Sequence, residues 1–177
     1  MKAIIWDTET SGLIDNRTRP IDKQPEVIEF YACYADLKTG KITRDLNLLI
    51  KPQDPLTEEN IARHNITNEM LSKAPPFAKV ADGIVKFFKT SPLAIAHNAS
   101  FDKEMLEIEF ERLGKPLTLP RMICSIEQTM QIKGHRLNLS ALHEYLFGEP
   151  FDGAHRAKVD VMALLKCCVE LHKRDML

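Results

Sequence analysis

The chain has 177 residues, 44% of them apolar and 28% charged, which suits a single compact domain built on one hydrophobic core. Its 24 Lys and Arg against 25 Asp and Glu give a formal net charge of -1, which excludes an overall basic field for tight, sequence-independent binding along a phosphate backbone. No stretch could span a bilayer, the apolar opening is too short for a signal-peptide core, and Cys33, Cys124, Cys167 and Cys168 form no C-x-x-C pair; the sequence predicts a soluble, cytoplasmic chain with reduced thiols, no zinc site and no membrane.

In chain order, Ala3, Ile4, Ile5 and Trp6 make a run that is apolar on both faces, which predicts a central strand over residues 2–7. It runs into Asp7 and Glu9. At i and i+2 on an extended backbone both carboxylates leave the same face. Two acids on one face repel, and either a hard divalent cation or open water can relieve them; the D-x-E pair alone does not decide between the two. Gly12 allows a sharp turn, and residues 15–25, polar and bounded by prolines, read as an exposed loop. Residues 27–35 and 42–50 read as a hairpin around a turn at 38–41, an antiparallel contribution to the sheet. Glu29 interrupts the first of these strands, either as a partner to the carboxylates or as part of a polar face.

Thr57 is placed to cap a short acid-rich helix, and Thr67, after His64, Asn65 and Ile66, can cap a segment through Leu71. The spacing of Phe77, Val80, Ile84, Val85 and Phe88 predicts an amphipathic helix. Residues 92–96 are wholly apolar and predict a buried strand, which ends in His97-Asn98-Ala99-Ser100-Phe101-Asp102. Ser100 reads as the cap of a helix that stops at Gly114, with Asp102 in its first turn. The helix dipole alone would favour an acid there, yet a helix start after a buried strand is also where an open α/β sheet places ligands.

A strand over residues 119–124, a helix over 126–132 and a break at Gly134 follow, and Asn138 caps a helix that ends at Gly148. In the last element Val161, Leu164, Leu165, Cys168 and Leu171 define one buried stripe. Asp160 borders that stripe, where an acid without a partner is uncommon. His155 precedes the helix in a loop-like position behind Gly153. Three small basic groups, at Arg17, Arg19 and Lys23, at Lys133, His135 and Arg136, and at Arg156 and Lys158, read as solvated surface.

Taken together, Asp7 and Glu9, then Asp102, then His155 with Asp160 five residues on, give the order of the DEDDh pattern. The chain resembles the DnaQ-like 3'-to-5' exonucleases, the family that includes the proofreading epsilon subunit of DNA polymerase III and RNase T. The resemblance extends through Asp7-Thr8-Glu9-Thr10-Ser11-Gly12, Ile28-Glu29, His64 to Thr67 with Ala74-Pro75, the His97 to Asp102 run, and His155 to Asp160. It departs at Asn65, where the family usually has glycine, and in the longer loop at 15–25.

The resemblance implies an α/β, ribonuclease H-like fold over the whole chain, a five-stranded mixed sheet with helices on both faces. It implies two Mg²⁺ or Mn²⁺ ions, one held by Asp7, Glu9 and Asp160 and the second by Asp7 and Asp102. Such ions, roughly 4 Å apart, stabilise the attacking and leaving oxygens of an in-line displacement. His155 is the implied general base, a role for a side chain that titrates near neutrality. Backbone amides near Thr10 and Gly12 are implied to receive the terminal 3'-hydroxyl, and Leu13, His64, Asn98 and Phe101 to hold the last nucleotides by contacts that ignore sequence.

The expected substrate is the 3' end of single-stranded DNA, in proofreading, repair or degradation, with a DNA polymerase or other replication protein as a possible partner. RNA is the alternative, because the contact that reads a 2'-hydroxyl is not legible. The chain stops soon after its last helix, so a free-standing nuclease is as open as a proofreading subunit. Two further readings remain: a non-catalytic binding module, which predicts a lost ligand that is not seen, and a ribonuclease H-type endonuclease, which does not account for His155.

Overall fold

The computed structural model describes residues 1–14 and 19–177, so Arg17 and residues 15–18 of the expected loop lie outside the description. Strands β1 (Lys2–Thr10), β2 (Val27–Asp36) and β3 (Lys41–Leu49) form an antiparallel meander. After two short helices, α1 (Glu58–His64) and α2 (Asn68–Ser72), helix α3 (Phe77–Phe88) leads into β4 (Leu93–Ala96), and α4 (Ala99–Arg112) leads into β5 (Arg121–Cys124). These last two strands run parallel to β1, giving the mixed sheet order β3-β2-β1-β4-β5. Helices α5 (Ser125–Lys133), α6 (Leu139–Phe147) and α7 (Ala157–Lys173) complete the chain. The predicted five-stranded mixed α/β sheet is present.

Alternation along β1 divides the core in two. Ile4 and Trp6 pack with Phe30 and Ala32 of β2 against Ile84 and Phe88 of α3 and Met105 and Leu106 of α4. Ala3 and Ile5 pack on the opposite face with Tyr31, Cys33 and the α7 stripe of Val161, Leu164, Leu165 and Cys168. Period 2 in the strand thus assigns odd positions to α7 and even positions to α3 and α4. Continuing the odd row past Ile5 brings Asp7 and Glu9 out on the α7 face, where the apolar filling ends.

Local chemistry sets the ends of the helices. Thr57, Thr67 and Asn138 each accept a backbone N–H from the first turn, as predicted. One cap differs. Ser100 is not the cap of α4; the helix starts at Ala99, and Asn98 precedes it with φ 66°. Asparagine tolerates this left-handed conformation, so the chain can enter the helix directly from β4 and leave Ser100 inside the first turn. Strand β5 begins at Arg121, later than expected, and β1 extends past Asp7 to Thr10. Pro120, without an N–H, cannot donate to a ladder. No helix among the described residues is long and apolar enough to cross a membrane.

Candidate active site

At the end of β1, one ligand oxygen from each of Asp7, Glu9 and Asp160 lies within 4.8 Å of the others. The odd row of β1 supplies the first two, and Asp160 comes from the first turn of α7. Asp102, buried in the first turn of α4, stands outside that group of three but next to it. Thr8 holds it: the Thr8 N–H donates to Asp102 Oδ1 at 3.0 Å and the Thr8 hydroxyl donates to the same oxygen at 2.7 Å.

Burial raises all four carboxyls above their ordinary range, and mutual repulsion adds to it. Asp7 is pushed well up by burial, then by Asp102, Glu9 and Asp160. Glu9 reaches about 8 through burial, then Asp160 and Glu29. Asp102 rises to about 7 from burial, against the two Thr8 bonds that favour its charged form. Asp160 rises by burial and is restrained by the backbone N–H of His155. Hard, convergent oxygen donors that repel one another without a cation are the donor set for Mg²⁺ or Mn²⁺, so the residues fit the implied metals.

A cleft of about 750 Å³ surrounds the cluster. Asp7, Glu9, Asp102, Asp160 and His155 line it, and so do Thr10, Gly12, Leu13, His64, Asn98 and Phe101. The structure therefore gathers every predicted site residue around one opening, from four separate stretches of the chain, residues 7–13, His64, residues 98–102 and residues 155–160. Leu13 stands at the mouth, 68% exposed. His64 is buried on α1, its Nδ1 accepting the N–H of Ile66 at 3.0 Å, and burial lowers its pKa. His97 also lines the cleft, paired through Nδ1 with Ser125 Oγ at 2.9 Å, and burial lowers its pKa to about 4.

His155 is exposed and adopts φ 69°. Its backbone N–H and that of Arg156 donate to Asp160 Oδ2 at 2.9 and 3.2 Å. Glu29 lies directly opposite Glu9 in the β1–β2 ladder. Its buried carboxylate receives Arg156 Nη2 at 2.8 Å, Arg156 Nε at 3.2 and 3.3 Å, and the N–H of Ala157 at 2.9 Å. Arg156 is thus a buried acid's partner, not solvated surface as its sequence neighbourhood suggests.

Sequence reasoning assigned no part in the site to Thr8, Arg63, Ser140 or Phe151, all of which line the cleft. Alternation gave a usable signal for Thr8, since it must face away from Asp7 and Glu9. The others come from α1, from the first turn of α6 and from the segment that follows it, whose approach to the cleft is a tertiary outcome.

The exonuclease family model named for RNase T matches residues 4–168 of the chain. Among curated relatives, the DNA polymerase III epsilon subunit of Buchnera aphidicola from Acyrthosiphon pisum is 32% identical, the match covering 93% of this chain and 70% of that protein. The epsilon subunit of Pasteurella multocida is 30% identical, over 82% of this chain and 57% of its own length, so the chain spans little more than half of that relative. Among solved structures, the nuclease domain of 3'hExo, a DEDDh family member bound to rAMP, matches 98% of this chain and 92% of its own, with a TM-score of 0.80 at 18% identity. Exonuclease X in complex with 5' overhanging duplex DNA matches 98% of this chain and 93% of its own, with a TM-score of 0.70 at 23% identity. A family match running from the first strand into the last helix, on the fold that DEDDh nucleases share, places this chain in the RNase T family of exonucleases.

Proposed function

We propose that the chain is a two-metal 3'-to-5' exonuclease that releases nucleoside 5'-monophosphates from the 3' end of single-stranded DNA. The observation that carries this reading is the convergence of Asp7, Glu9 and Asp160 within 4.8 Å, with Asp102 held beside them by Thr8. Two Mg²⁺ or Mn²⁺ ions on these carboxylates would supply charge stabilisation for an in-line displacement at phosphorus. His155, at the lip of the cleft, takes the proton of the attacking water; its ring is solvent-accessible and can pass that proton on. Thr10 and Gly12 form the floor that receives the terminal sugar, and the Thr10 hydroxyl bond to the Gly12 carbonyl at 2.6 Å fixes that turn. Phe101 and Leu13 present ring and apolar surface to the last bases, which suits binding without sequence preference, while Asn98 and buried His64 belong to the wall around them.

The near-neutral net charge favours a short, unpaired end over a long duplex footprint. The naming of the two curated relatives described above as DNA polymerase III epsilon subunits supports DNA over RNA and makes a replicative polymerase a fitting partner. The test is digestion of 5'-labelled single-stranded DNA and of matching RNA with Mg²⁺, with Mn²⁺ and with EDTA, using wild type, Asp7→Ala and His155→Ala. A metal-dependent ladder that shortens from the 3' end and is lost in both variants is expected, faster on DNA. A folded wild type that makes no ladder under any of these conditions would refute the reading, and a faster ladder on RNA would reassign the substrate.

A further inference from the structure

Glu29 and Arg156 stand outside the chemistry described above, yet they form a tightly bonded ion pair beside the cleft, Arg156 Nη2 meeting Glu29 at 2.8 Å. The Arg156 side chain is 36% exposed, whereas Glu29 is 2% exposed and would be costly to leave unpaired. Two guanidinium nitrogens meet both carboxylate oxygens, an arrangement that fixes direction as well as distance. The same carboxylate also receives the N–H of Ala157, the first residue of α7. Arg156 supplies no side-chain cap to its own helix, so an acid from β2 does that work from across the sheet.

The position of this clasp matters because of what it adjoins. His155 precedes Arg156 and Asp160 follows four residues later. The His155 ring has no hydrogen bond to any described residue, so its location is set by its backbone. That backbone is left-handed, φ 69°, a conformation that is costly for a non-glycine residue and persists only when its surroundings impose it. Two restraints impose it here: the Asp160 carboxylate, which gathers the N–H groups of His155 and Arg156, and the clasp on Glu29. Glu29 faces Glu9 across the ladder, so the clasp ties the His155 turn to the strand pair that carries two of the acids.

We propose that Glu29 and Arg156 are positioning residues for His155: the clasp seats the turn that carries the base against the carboxylate cluster. The inference rests on the exonuclease reading for the role of His155. Arginine is required, since a lysine ammonium keeps the charge but cannot span both oxygens.

The test combines a double-mutant cycle with a metal-free measurement. Single-turnover cleavage of a short single strand, with enzyme in excess and followed long enough to read the residual rate that the ladder assay does not show for His155→Ala, is measured for wild type, Arg156→Gln, His155→Ala and the double variant, with Arg156→Lys as the variant that keeps a cation beside buried Glu29. Arg156→Gln is expected to slow cleavage about 10- to 100-fold with KM little changed. Arg156→Lys is expected to melt near wild type and still cleave slowly. In the His155→Ala background, loss of Arg156 should cost nothing further, because the clasp acts through a side chain already absent. In the metal-free protein, backbone amide exchange at residues 155–160 should quicken in Arg156→Gln while the later turns of α7 keep their protection. Equal rate losses in both backgrounds, a wild-type rate in Arg156→Gln, or unchanged exchange at that segment would each overturn the proposal. A wild type that cleaves nothing would overturn the exonuclease reading itself, and this proposal with it.

Discussion

Thr8 and Asp102 are 94 residues apart and joined twice, both Thr8 donors ending on one carboxylate oxygen. The bond fastens the first turn of α4 to the strand that carries Asp7 and Glu9. Thr8→Val keeps the shape and the backbone donor but removes the hydroxyl. Cleavage should fall about 10- to 100-fold, the range for groups that orient metal ligands, while Thr8→Ser stays near wild type. Steady-state rates for the two variants check this; equal rates would remove the hydroxyl from the account.

The raised carboxyls make the metal-free protein sensitive to base. Each holds its proton to a higher pH when folded than when unfolded, so the folded state binds more protons and stability falls as pH rises through the folded values. Buried His97 works oppositely: its pKa is lowered to about 4, so its contribution is lost as pH falls below its ordinary 6.5 and is complete above it. Between pH 6.5 and 8 the carboxyls therefore dominate, with Asp102 at about 7 and Glu9 at about 8. In EDTA the melting temperature should drop across that interval. Mg²⁺ or Glu9→Gln should flatten it, and a slope unaffected by either would sever it from the cluster.

Arg63 is the one lysine or arginine among the described residues lining the cleft. It projects from the last turn of α1, close enough to Glu9 to lower that group's pKa. Under the proposed exonuclease function, an incoming strand would bring further phosphates to the same rim. Arg63→Ala should raise KM for an oligonucleotide about tenfold, the scale of a charge-assisted hydrogen bond. It should flatten the salt dependence by roughly 0.7 in log–log slope. On thymidine 5'-p-nitrophenyl phosphate, which has one phosphate only, the variant should match wild type. An equal loss on both substrates would point to an effect on the carboxylates instead.

Trp6 precedes Asp7 and meets Phe88 edge-to-face with ring centroids 5.1 Å apart. Phe88→Ala should cost about 3–5 kcal/mol by denaturant unfolding, since Phe88 is 1% exposed and its removal leaves a cavity beside Trp6 and Phe30. A loss under about 1 kcal/mol would mean that the core collapses around the gap.

The sheet was legible because its signals are local. Alternation, turn residues and caps at Thr57, Thr67 and Asn138 need no knowledge of the rest of the chain, and each lies where the sequence puts it. The cap of α4 was misread because Ser100 obeys the usual preference while Asn98 meets a rarer need, a left-handed entry from β4. Glu29 could not be resolved from sequence, because its partner lies 127 residues away. Arg156 and Lys158 look alike in the chain. Only burial beside Glu29 sets Arg156 apart, whereas Lys158 lies over the ring of Tyr31 at 5.7 Å.

The division of β1 into odd and even positions bears on how this sequence can change. Asp7 and Glu9 look toward α7 while Thr8 reaches Asp102 on α4, so one short stretch serves both sides of the sheet. Inserting or deleting a single residue between Ile4 and Asp7 would reverse that parity, turning the acids toward Phe88 and Trp6's neighbours and the threonine toward α7. Point substitutions in β1 can be graded in their effects, but a one-residue change in its length is all or nothing. Descendants of this chain are therefore expected to vary in length elsewhere, in the surface turns, and to keep the count from Ala3 to Thr10 unaltered.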